Sequence, residues 1–262
     1  MLRILTCIAI TLLTSLSLAQ EPGAGDGTNP LSEERLAELD NDFQSLLDES
    51  AATIARNPQS LRGYSEHGDA LFFLGRFKEA VADYDQMIEL EPKEKASHWR
   101  RGIALFYAGQ FEDAAAQFES YHSFDQIDRE NGIWRYLSQH RAHGQAKARE
   151  GLLKYQKDDR EPFPAVYKLF AGTMTPEEIL EQINTAKISK TEREKRLFYA
   201  HLYIGLNHAV EGEDEQARKH LALATRNTWG PTAGYGPHYM WQVGRLHESL
   251  LRNKQSKDQP RN

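Results

Sequence analysis

Residues able to do chemistry are plentiful in this chain but scattered. Ten histidines raise the question of a metal centre. His140 and His143 fall at i, i+3 on one helix face, and His201 and His208 stand two turns apart. A zinc site needs three or four converging ligands, and neither pair has a Glu at a recognised spacing. Nucleophilic catalysis fares no better: no Gly-x-Ser-x-Gly elbow occurs, and no Gly-rich loop follows a strand-like segment. The single cysteine, Cys7, lies in an N-terminal segment that reads as cleavable. The mature chain then has no thiol nucleophile, disulfide or thiolate ligand. Carboxylates are dispersed along helical stretches and nominate no acid/base pair. The expectation is therefore no catalytic residue, no cofactor and no metal. Surface and helix-packing roles explain the histidines, and a metal-dependent enzyme on a helical scaffold ranks last.

The elements that would position such residues follow a period. Gly68, Gly75, Phe77, Ala80 and Tyr84 recur as Gly102, Gly109, Phe111, Ala114 and Phe118, a constant step of 34 residues. Small and aromatic residues in register at this step mark a tetratricopeptide (TPR) array. The spacing predicts helix A over Tyr64–Leu74 and helix B over Phe77–Leu90, with Gly75 at the turn and Pro92 at the end. Ser97 is the expected cap of the next helix A. Gly205, Gly212, Ala217 and Leu221 fill the same slots further on. The predicted fold is all-α, a TPR-type right-handed solenoid of stacked helix-turn-helix repeats. A single such hairpin cannot bury its apolar face, so several must stack.

The solenoid is expected over 31–252. Clear repeats span 61–94 and 95–128, and a degenerate pair spans 130–158 with Gly144 at its turn. Irregular helices follow over 162–188, then a repeat at 192–226 and a capping helix at 238–252. Thr175-Pro176-Glu177-Glu178 starts one of the irregular helices with a capping box, and Thr191 with Glu194 suggests the same for the next. The loop Asn227–Pro237 carries Trp229 and Tyr235, whose rings are expected to fold back and seal the end of the stack. Residues 253–262 form a polar tail.

Composition sets the class and the address. The chain has 262 residues, 40% of them hydrophobic, enough for a core, and a formal net charge of −6. A mildly acidic chain without a Lys/Arg block argues against nucleic acid as partner. Arg3, the apolar run to Leu18 and Ser17-Leu18-Ala19 fit a signal peptide over 1–19, cleaved near Ala19. A flexible leader, 20–30, follows. The expectation is an exported protein, periplasmic or secreted, with only indirect membrane association; an uncleaved anchor is the rival reading.

A TPR array exposes its A helices on the concave side. Three- and four-residue steps from the buried slots place Ser65, Asp69, Phe72 and Phe73 there, then Trp99, Ile103, Phe106 and Tyr107. Phe72 and Phe106 read as packing. Asp69, Phe73, Trp99, Ile103 and Tyr107 are the candidate contacts for a protein or peptide partner, with aromatic rings as anchors. The Lys and Asn that clamp a terminal carboxylate in some TPR domains are absent from these places.

Several runs resemble one family. Arg101-Gly102-Ile103-Ala104-Leu105-Phe106-Tyr107, Trp134-Arg135-Tyr136-Leu137 with Gln145-Ala146-Lys147-Ala148, and Lys168-Leu169-Phe170-Ala171-Gly172 are similar to segments of the NlpI family of bacterial outer-membrane lipoproteins. Phe198-Tyr199 through Gly205 and Ala217 continue the likeness, which is colinear from about Leu61 to Leu251. It implies a homodimeric adaptor without catalysis of its own, one that brings peptidoglycan hydrolases to a processing protease. The family's lipoprotein Cys has no counterpart at Ala19-Gln20, so a lipid anchor is not expected. A TPR subunit of an outer-membrane biogenesis or secretion assembly is the alternative.

Overall fold

In the computed structural model, which describes residues 31–157 and 159–258, every regular element is helical. The expected signal peptide and leader lie outside the described residues. Among the described residues, twelve α-helices and two short 3-10 turns follow one another. The first, α1, runs over Glu33–Arg56, capped by Ser32 with Glu33 and Glu34 in its first turn. Two hairpins come next: α2 (Leu61–Phe73) with α3 (Phe77–Leu90), and α4 (Trp99–Tyr107) with α5 (Phe111–Phe124). The helix starting one residue before the expected Thr191 cap pairs likewise: α10 (Lys190–Glu211) with α11 (Asp214–Arg226).

These three hairpins share one turn and one crossing. Each A helix ends in a glycine at positive φ, Gly75, Gly109 and Gly212. The next amide reaches back over the last turn: Arg76 N–H to Leu71 O at 2.8 Å, Gln110 to Leu105 and Glu213 to His208 each at 2.9 Å. Higher up, Gly68, Gly102 and Gly205 face Tyr84, Phe118 and Leu221. A Cβ at any of them would lie 2.6–2.8 Å from the opposing side chain. Ala80, Ala114 and Ala217 are fully buried at the same crossings. Small residues on one helix and a large one on its mate thus fix the close approach.

Between the regular hairpins lie α6 (Arg129–His143), the short α7 (Gln145–Glu150) beyond Gly144, α8 (Phe163–Phe170) and α9 (Pro176–Thr185). The capping box at Thr175 and Glu178 is present. Two expected caps are elsewhere. His98, not Ser97, accepts the Arg101 amide at the start of α4, while the Ser97 hydroxyl turns back to Glu94 O. Ser189, not Thr191, accepts the Glu192 amide at the start of α10. In both cases a neighbouring residue with a suitable acceptor sits where the chain leaves extended or turn geometry.

The largest departure is at the C-terminal end. Helix α12 covers Tyr235–Asp258, longer at both ends than the expected capping helix, and takes in part of the predicted tail. It packs on α11, where Trp241 donates Nε1–H to Thr225 O at 2.8 Å. It then crosses the inner face of the first hairpins. Tyr239 stacks on Phe72 and stands edge-on to Trp99, with centroids 5.8 and 4.9 Å apart. Arg245 reaches Asp40 on α1 and the Phe73 carbonyl, and Arg252 pairs with Glu248 and Glu33.

Candidate binding site

Helix α12 decides what the predicted contact residues do. Asp69 is buried and accepts three hydrogen bonds: from the Tyr84 hydroxyl at 2.6 Å, Arg100 Nη1 at 2.8 Å and the Tyr235 hydroxyl at 2.5 Å. Phe73 is buried against Phe43 and Tyr239. The Tyr107 hydroxyl lies 2.7 Å from Nδ1 of His247 on α12. Burial lowers the His247 pKa to about 4, so the ring stays neutral and its nitrogen can accept. Asp69, Phe73 and Tyr107 are therefore taken up by the chain's own helix. These are residues expected to face a separate partner, and α12 of the same chain lies against all three.

Trp99 and Ile103 have a different fate. Both line a cavity of about 410 Å³ that remains where α12 begins. Its walls are Trp99, Ile103, Phe118, Trp134, Tyr199 and Trp229, with Met240 and Pro237 of α12 closing one side. Its polar groups are Asp128, Glu130 and Asn131 at the start of α6, Arg160 from the segment before α8, and Lys195 on α10. The two elements that frame it, α6 and α10, are held together by Glu130, which receives the Tyr203 hydroxyl. Arg160 spans Glu130 at 2.5 Å, Asp128 at 3.4 Å and Asp159 at 3.2 Å, and its guanidinium lies over Phe163 and Tyr199. Asp128 caps α6 through the Glu130 amide and also accepts from Asn131 Nδ2 at 2.7 Å.

Burial raises the Glu130 pKa to about 7 although Arg160 opposes it, with Asp128 and Asp159 adding like charge. The same burial raises the Asp128 carboxyl from its ordinary range. Lys195 is neutralised by Glu192 at 3.5 Å. The cavity thus combines aromatic walls with a floor of hydrogen-bonding and paired charged groups. Three exposed apolar residues neighbour its lining residues in space or sequence. Phe124, 63% exposed, packs on Tyr121 at the rim. Ile127, 40% exposed, precedes Asp128, and Tyr235, 58% exposed, leans on Trp99. These are three of the five large hydrophobic residues that are exposed among the described residues, and Phe124 and Ile127 line a separate depression with His122 and Lys154.

The histidines bring no metal centre together: among the described residues no group of three or more His, Cys, Asp or Glu side chains is arranged to hold an ion. His201 and His220 meet, Nδ1 to Nδ1 at 3.0 Å, across the α10–α11 hairpin, with His208 stacked on His220. Arg100 and Arg101, which could have met an acidic ligand, are committed internally to Asp69 and Asp85. No described helix is long and apolar enough to cross a membrane. Sequence reasoning found two walls of the cavity through the repeat register. It missed Glu130, Trp134, Arg160, Lys195 and Tyr199 because they come from the irregular middle and α10, where no period aligns them. Trp229 was expected to seal the end of the stack; it touches Phe198 and Tyr199 and also lines the cavity.

No family model matches this chain, and no curated protein matches it.

Proposed function

We propose that the chain is an exported, non-catalytic adaptor built as a right-handed TPR-type solenoid, and that it holds a protein partner at the mouth beside α12. The observation that carries this reading is the cavity walled by Trp99, Phe118, Trp134, Tyr199 and Trp229 at the start of α12. A concave aromatic site of this size that accepts one anchoring side chain has the anatomy of a binding hot spot. Its carboxylates are tied to Arg160 and Tyr203, which favours a holding role over proton transfer. The likeness to the NlpI family makes the partner a peptidoglycan hydrolase or a processing protease of the cell envelope.

A photo-crosslinking residue at Phe124 or Tyr235, compared with one at Lys78 on α3, tests this in the native envelope. Protein adducts are expected at the first two positions and not at the third. Trp99→Ala should abolish them while helicity is retained. Adducts independent of position, or none, would reject the reading. Adducts made only of secretion components would keep the adaptor and reject the hydrolase or protease partner.

A further inference from the structure

The fold itself seats phenol rings on buried carboxylates. Asp69 receives the hydroxyls of Tyr84 and Tyr235 together with Arg100, whose guanidinium lies over both rings. Glu130 receives the Tyr203 hydroxyl together with Arg160, whose guanidinium lies over Phe163 and Tyr199. The two nodes match in chemistry and differ in one respect. At Asp69 a second ring, Tyr235, comes in from the solvent side. At Glu130 only one phenol arrives, and the cavity borders the carboxylate, whose side chain keeps 14% of its surface accessible.

We infer that the cavity takes the phenol ring of a tyrosine presented by the protein partner, its one hydroxyl proton donated to an oxygen of Glu130 or of its neighbour Asp128. The inference rests on the protein-binding reading above and adds the chemistry of the anchor. Carboxylate oxygens offer about two acceptor sites each, and Glu130 uses one donor on each oxygen. Lys195 is paired with Glu192, and Arg160 with Glu130, Asp128 and Asp159, so a neutral donor suits the site better than an anion. Aromatic walls favour edge-on and offset packing against another ring over contact with an aliphatic chain. A phenylalanine would fill the same volume but cover the carboxylates without supplying a donor, and that leaves desolvated acceptors unmade.

The test uses the whole chain and four small probes: N-acetyl-tyrosinamide, N-acetyl-phenylalaninamide, N-acetyl-leucinamide and N-acetyl-argininamide. Binding is followed by NMR on the indole N–H signals. Trp99, Trp134 and Trp229 line the cavity, while Trp241 is bonded to Thr225 O and serves as internal control. The tyrosine probe should shift the first three and leave Trp241 in place, with about tenfold tighter binding than the phenylalanine probe. Glu130→Gln should erase that preference. Asp128→Asn, which keeps the shape of the cap, serves if the first variant does not fold. Equal binding of the tyrosine and phenylalanine probes overturns the hydroxyl assignment. Preference for leucine or arginine overturns the phenol in favour of an aliphatic or cationic anchor. If no probe shifts the indoles of the folded protein, the anchor falls, and crosslinks at Phe124 and Tyr235 still decide the adaptor reading separately.

Discussion

Glu130 shows how far one residue's behaviour can depart from its place in a sequence. It sits in the first turn of α6, where a carboxylate is ordinarily a solvated partner of the helix dipole. Here the side chain is turned into the join between α6 and α10, and burial raises its pKa to about 7. A carboxyl with a raised folded pKa keeps its proton while the unfolded chain, ionising near pH 4.5, has lost its own. Its contribution to stability is therefore present at acid pH and declines as pH rises from about 4.5 to 7. Glu130→Gln should remove that decline, so melting temperature should gain more, or lose less, between pH 4.5 and 7 than in the parent, measured by circular dichroism. An unchanged slope would mean the carboxyl is not held as described. The wall residue Trp99 gives a second check at this scale. Trp99→Ala should leave the fold standing, because the ring is only partly buried, and loss of helicity would assign it to the core instead.

At the scale of helices, the A/B crossing is the unit that repeats. Ala80 is fully buried where α2 meets α3, with Tyr84 filling the space over Gly68. Ala80→Leu should overpack that crossing and cost about 1–3 kcal/mol, read as a lower urea midpoint at unchanged slope. Helix pairs also carry an acid liability. Burial lowers the pKa of His201 to about 3 and of His220 to about 4, with His208, Lys219 and Glu177 acting on the pair and Glu213 bonded to His208. His98 and His247 are lowered for the same reason. The unfolded chain takes up these protons first, so stability should fall as pH drops from about 6.5 toward 4. His201→Asn should reduce that loss, measured as the melting-temperature difference between pH 7 and pH 4.5. The regular hairpins were legible beforehand because glycine at the turn and small-against-large packing at the crossing are local requirements. The caps of α4 and α10 were misjudged by one or two residues, since several neighbouring side chains could accept the same amide.

Over the whole molecule, α12 ties the last hairpin to the first. Tyr239 is buried among Phe72, Phe73 and Trp99, and Arg245 joins α12 to α1. Tyr239→Ala should therefore destabilise the entire chain by about 3–5 kcal/mol in one cooperative transition. Two separate transitions would mean that α12 and the first hairpins do not act as one unit. The same helix contacts Asp69, Phe73 and Tyr107, three of the residues that the repeat register offered to a partner. The register contained no information on which segment would lie against them.

The chain's own letters settled its helical class, the turns at Gly75, Gly109 and Gly212, and the residues that meet inside each hairpin. Those features depend on neighbours three, four or sixteen positions away, and short-range sterics leave them little choice. Only the tertiary arrangement decided that α12 would lie across the inner face and leave one aromatic cavity at its start. That outcome joins side chains as distant as Trp99, Arg160 and Met240, and it turns on which buried apolar surfaces fit together once every helix has formed.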